Sequence, residues 1–182
     1  MSDNDATYSF ERGYPTSETI QQSYDDADLN RAIQAYRFFY ATVSGMAMIK
    51  GNDAIGILPN KVFGTADTKP IFVGYTLNSD TPYGPITLDL RVGPIVVELP
   101  PGPLICAMLD LNQGWIADMG LPGPDAGQGG KHLIVPPDYD GALPDGYHVW
   151  HSKTNLVIGG ARSLPIGGDV PAALARLREG AR

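Results

Sequence analysis

The chain has 182 residues, enough for one domain or one and a half, and 43% of them are hydrophobic, so it can bury a sizeable core. Its net charge is −7 and no Lys/Arg cluster stands outside the C-terminal tail, which argues against DNA, RNA or an anionic membrane as a partner. The single cysteine, Cys106, excludes an intramolecular disulfide.

Residues Met1 to Phe10 are acidic and polar with no apolar core, so no signal peptide is expected. No apolar stretch approaches the roughly 18 residues that span a bilayer. A soluble, cytoplasmic protein is the expectation. The 22 glycines and 16 prolines are spread among apolar runs, the pattern of many short strands joined by tight turns.

Residues 1–24 read as an extended arm with aromatic anchors at Tyr8, Phe10, Tyr14 and Tyr24, and residues 25–182 as a single domain. A short helix can start at Thr16-Ser17-Glu18. The clearest helix is expected after Asp25-Asp26, with Asp26 or Asp28 accepting from the free amides of its first turn. Leu29, Ile33, Tyr36, Phe39/Tyr40 and Val43 recur at three- and four-residue steps, one face of that helix. Its end is expected near Gly45 or Gly51.

Strands are expected at Ile71–Tyr75, Ile86–Leu90, Ile95–Leu99 and Leu104–Leu109, with Gly or Pro at every joint. The joints Arg91-Val92-Gly93-Pro94 and Pro100-Pro101-Gly102-Pro103 are short enough for hairpins. The segment from Asp110 to Gly120 breaks the strand rhythm, and Leu121–Lys131 is a Gly/Pro-rich loop. Strands resume at His132–Val135, Tyr147–His151 and Leu156–Ala161. Asp169 then caps a C-terminal helix that has Pro171 in its first turn.

The order predicts an α+β domain, mainly antiparallel β in a sandwich-like sheet, with an N-terminal and a C-terminal helix. No crossover helix lies between Ile71 and Ala161, so parallel pairing is not expected.

Two polar clusters stand out. Asn78, Asp80, Thr81 and Tyr83 fall within six residues and read either as a heavily capped turn or as a pocket edge. Asp110, Asn112 and Trp115 follow a strand end, where side chains converge on loop-built sites. In the functional reading Asp80 and Asp110 transfer protons, while Asn78, Thr81, Tyr83, Asn112 and Trp115 hold a small organic ligand. In the structural reading Asp110 caps a turn and Trp115 fills the core.

His148 and His151 fall on opposite faces of a strand, and His132 stands apart, so no zinc set is evident. Asp80, Asp89 and Asp110 lack the spacing of a divalent-metal site. Neither a metal nor a cofactor is expected. Gly127-x-Gly129-Gly130-Lys131 lacks the Ser/Thr and the helix of a phosphate loop and reads as a tight turn or lid.

The sequence resembles domain of unknown function family 1254. The resemblance rests on Asp28 to Tyr36, on Asn78-Ser79-Asp80-Thr81-Pro82-Tyr83, on Leu88-Asp89-Leu90 and on Gly93-Pro94. It continues through Asp110, Gly120-Leu121-Pro122-Gly123-Pro124-Asp125, Gly129-Gly130-Lys131, Leu133 to Pro137, Gly146-Tyr147 and Arg162. It implies a predominantly β domain that is normally followed by a second region, family 1214. This chain stops at Arg182, where that region would begin, so three alternatives are open: a homo-oligomer, a heteromer with a separate chain carrying the second region, or a fragment of a longer protein. Two functions stay open: an enzyme or enzyme half with a small-molecule pocket, and a non-catalytic ligand-binding or assembly module.

Overall fold

A computed structural model describes residues 8–71 and 77–182, so the expected strand Ile71–Tyr75 lies outside the described residues apart from Ile71, which stands in a turn. The chain divides after Tyr40 into two compact units.

In the N-terminal unit, Phe10–Glu11 (β1) and Tyr14–Pro15 (β2) pair antiparallel around Arg12 and Gly13, both at positive φ. Thr16 Oγ1 accepts from the Thr19 amide at 3.3 Å, and the Thr19 hydroxyl donates to the Ser9 carbonyl at 2.9 Å. This cap starts a helix, α1, that runs without a break over Ser17–Ala54. The expected start at Asp25-Asp26 is therefore corrected: those residues lie inside the helix. Asp26 accepts from the Tyr8 hydroxyl and Asp28 pairs with Arg31. Strong local capping at Thr16 overrides the later acidic signal.

α1 also passes through Gly45 and Gly51, where an end was expected. Gly45 packs against the Leu111 carbonyl, which leaves no room for a side chain. A close tertiary approach, not a helix end, explains that glycine.

Among its described residues the unit from Ala41 holds seven strands: β3 (Tyr83–Asp89), β4 (Ile95–Leu99), β5 (Leu104–Asp110), β6 (Trp115–Gly120), β7 (Gly130–Val135), β8 (His148–His151) and β9 (Leu156–Ser163). They form a four-stranded sheet in the order β3-β9-β5-β6 and a three-stranded sheet in the order β4-β7-β8. A short helix, α2 (Val170–Ala175), follows with Asp169 accepting from the Ala172 amide at 3.0 Å. The fold is α+β, as its sequence pattern predicts.

Three details differ from expectation. The Gly/Pro joints after β3 and β4 are not hairpins. β3 pairs with β9, and β4 pairs with β7 in the other sheet. Gly93 (φ 115°) and Gly102 (φ 132°) let the chain turn these corners from one sheet to the other. Asp110 to Gly120 does not leave the sheet: it closes the β5–β6 hairpin and continues as β6. Finally, β7 and β8 are parallel, with His132 opposite His148, and the connection between them is residues 136–147 without a helix. The long loop supplies the crossover that a helix usually provides.

The alternating burial of β5 shows how the layers meet. Leu104, Cys106 and Met108 point inward, against Val97, Leu99 and Ile134 of the second sheet and Leu177 after α2. Cys106 sits in this core, and burial pushes its thiol up to about 12, so it is no nucleophile. The other face of the four-stranded sheet carries Thr87, whose hydroxyl accepts from Asn52 Nδ2 at 3.1 Å. Among the described residues no helix is long and apolar enough to cross a membrane.

Candidate functional site

The Asn78–Tyr83 turn closes on itself. Asn78 Oδ1 accepts from the amides of Asp80 (2.9 Å) and Thr81 (3.0 Å) and from the Thr81 hydroxyl (3.1 Å). Asn78 Nδ2 donates to the Tyr83 hydroxyl at 3.0 Å. Asparagine suits this place because its oxygen gathers donors two and three residues on while its amide nitrogen reaches the phenol.

β3 then places Tyr83 directly opposite Arg162 on β9. Arg162 lies over the Tyr83 ring, 5.3 Å from its centroid, and its Nε donates to Thr81 Oγ1 at 3.2 Å. The turn thus orients an arginine that sequence reasoning had not counted as a site residue. The available signal was a lone cation in a strand of small and apolar residues, Leu156–Ser163.

The ion pairs of the described residues are Arg31–Asp28, Lys69–Asp67, Arg91–Asp89, His132–Asp125 and Arg182–Glu98. Arg162 is in none of them. Asp80 stands exposed on the same turn, and its backbone, not its carboxylate, is held there.

The second cluster is elsewhere. Asp110, 4% exposed, accepts through Oδ1 from the amides of Asn112 (2.9 Å) and Gly114 (2.8 Å) and so clamps the β5–β6 hairpin. Asn112 Oδ1 accepts from the Thr42 hydroxyl at 2.6 Å. Trp115 is 62% exposed and meets Trp150 edge to face, so the structural reading in which it fills the core does not hold.

One pocket lined by Asp80, Tyr83, Asp110 and Trp115 does not form. Arg162 pairs with Ile105 and Val157 with Asp110, so the clusters sit at opposite ends of the sheet. Five residues of extended strand separate them, about 17 Å. Asp89, weighed above as a metal ligand, caps a 3₁₀ turn, and the Arg91 guanidinium beside it holds its carboxyl below the usual range. No group of three or more His, Cys, Asp or Glu among the described residues could hold a metal ion.

Parallel pairing builds a third feature that the sequence concealed. His132 is fully buried beside His148, with ring centroids 5.0 Å apart, and its Nδ1 accepts from Trp150 Nε1 at 3.2 Å. A tryptophan N–H can only donate, so Nδ1 is unprotonated and the proton of the neutral ring sits on Nε2. Nε2 faces Asp125 Oδ1 at 3.5 Å, and that oxygen accepts from the Gly120 amide at 2.8 Å. Asp125 Oδ2 and His132 Nε2 have no hydrogen-bond partner among the described residues. Burial holds the His132 pKa below the ordinary imidazole range; Asp125 opposes that effect and His148 adds to it.

These features define an α+β sandwich with a polar corner at one end of its larger sheet and a buried Asp–His pair between its layers. The chain belongs to the family described as protein of unknown function (DUF1254), whose pattern matches residues 62–182. The corner and the Asp–His pair both fall inside that match, and α1 precedes it. Among solved structures, the VPA0106 protein from Vibrio parahaemolyticus is similar, with a TM-score of 0.64 and 21% identity over 81% of this chain and 36% of that one. The likeness is one of fold, and this chain spans about a third of that protein's length. No curated protein matches.

Proposed function

We propose that the domain binds a small organic molecule at the corner formed by Asn78, Thr81, Tyr83 and Arg162, with Asp80 on its exposed rim as the proton-transfer group of an enzyme or enzyme half. One observation carries this reading: Thr81, itself held by Asn78, accepts from Arg162 Nε, while the guanidinium meets no carboxylate among the described residues. Asp110, bound into its hairpin at the other end of the sheet, has no part in it.

The test is a binding screen of small neutral, cationic and anionic organic molecules by protein NMR. Binders should shift resonances of Asn78, Tyr83 and Arg162, and Tyr83→Phe should weaken them about tenfold through one lost hydrogen bond. Turnover of any substrate so found should drop in Asp80→Asn. A screen in which no class of molecule moves those resonances ends the proposal.

A second reading has its own support. Within the N-terminal unit, Leu29, Ile33, Tyr36, Phe39 and Tyr40 share one helix face, and each is 41–67% exposed. Apolar side chains in such a row favour a covering partner. We infer that this partner is a second copy of the chain, which makes the domain an assembly module as well. Light scattering should give a dimer mass that falls to the monomer mass in a Tyr36→Ser/Phe39→Ser variant. An unchanged mass would sink the helix-mediated version.

A further inference from the structure

The hydrogen-bonding polarity of the Arg162 corner goes further than the existence of a pocket. The side-chain oxygens of Asn78, Thr81 and Tyr83 already have their donors. Asn78 Oδ1 takes three, and Thr81 Oγ1, which spends its own proton on Asn78, receives the Nε–H of Arg162. The Tyr83 oxygen accepts from Asn78 Nδ2 at 3.0 Å and from the Asn78 amide at 3.4 Å.

What is left over around the guanidinium is donors. Among the described residues the two terminal nitrogens of Arg162 have no acceptor, and neither does the Tyr83 hydroxyl proton. With the Asp80 carboxylate set out on the exposed rim, the guanidinium and the phenol have donors to spare, and these select a ligand group that accepts.

Charge narrows the class. With Nε bonded to Thr81 and the guanidinium over the Tyr83 ring, the two terminal nitrogens are left with their parallel N–H groups, the fork that matches a carboxylate. A single guanidinium balances one negative charge, and a chain of net charge −7 disfavours polyanions at long range. Resting on the binding site proposed above, we propose that its ligands are organic monocarboxylates, gripped in bidentate fashion by Arg162 with the Tyr83 hydroxyl as a third donor.

The test uses the full chain and four probes. Benzoate and acetate carry the carboxylate, benzamide is the neutral match of benzoate, and inorganic phosphate is the polyanion. The corner should respond to benzoate and acetate, and benzoate should bind at least about tenfold more tightly than benzamide or phosphate.

Arg162→Lys keeps the charge but loses the fork, so it should weaken benzoate about tenfold, and Arg162→Met should abolish binding. Circular dichroism shows whether each variant is folded. If the Arg162 variants are not folded, Tyr83→Phe, which keeps Arg162, should still cost benzoate about tenfold.

Equal binding of benzamide and benzoate at the corner overturns the carboxylate assignment while the binding site stands. So does a preference for phosphate, or an Arg162→Lys variant with undiminished benzoate affinity. Failure of all four probes, together with the wider screen, overturns both.

Discussion

Asp125→Ala is expected to lower the unfolding free energy by about 3 kcal/mol, the cost of leaving buried polar groups without their partner. Asp125 is the acceptor for the Gly120 amide and the group that His132 Nε2 faces, all inside the core. Truncation strands the Gly120 amide and removes the carboxylate that His132 Nε2 faces. Asp125→Asn keeps an oxygen for Gly120 but turns a donor or an uncharged acceptor toward His132, so its loss should be smaller, near 1 kcal/mol. Urea unfolding of the three proteins at pH 7.5 measures both differences. An Asp125→Ala protein as stable as the parent would show that the pair contributes nothing.

The same pair sets a pH dependence. The His132 pKa is lower in the folded protein than the unfolded value near 6.5, so the unfolded chain binds the proton more readily. Its contribution to stability is complete above about pH 6.5 and is lost as the pH falls toward the folded pKa. Protonation at Nδ1 must also release the Trp150 N–H, so tryptophan fluorescence should change over the same window. Asp125 and His148 are the titratable groups facing this ring, and a repeat with His148→Asn tests whether the midpoint moves up once that neighbour is gone.

Gly120→Ala should be the most damaging glycine substitution, at about 3 kcal/mol or more. Gly120 has φ +80°, and a Cβ there would overlap the Leu104 carbonyl oxygen of the neighbouring strand. An alanine in this conformation costs about 1–2 kcal/mol before any overlap is counted. The overlap is with backbone, which cannot swing aside as a side chain could. Gly160 is the control: it has an ordinary φ and nothing within 4 Å of a Cβ position. Gly160→Ala should stay within about 0.5 kcal/mol of the parent. Thermal melts of both variants decide the matter, and equal effects would refute the account of Gly120.

Gly120 also explains part of the Gly-Leu-Pro-Gly-Pro-Asp run. Gly123 lies so close to Asp118 and Met119 that a Cβ would touch backbone, and Asp125 then folds back onto Gly120. A run that reads as an open loop in the sequence is a clamp that carries a carboxylate into the core.

The class of fold was legible along the chain. Period-two burial in β5, the helical face of α1, the Asp169 cap and the Gly/Pro joints are local signals, and each acts through neighbours close along the chain. The sequence also marked the Asn78–Tyr83 turn, because a side chain that bonds its own backbone is a local event. Tertiary structure decided the rest. Which strands pair is a long-range matter, so two expected hairpins became corners between sheets and two histidine strands met in parallel. The same pairing sent Asp80 and Asp110 to opposite ends of one sheet and brought Arg162, 79 positions after Tyr83, over its ring. No local pattern records such a meeting, because the partners share no turn of chain, only a ladder of backbone hydrogen bonds.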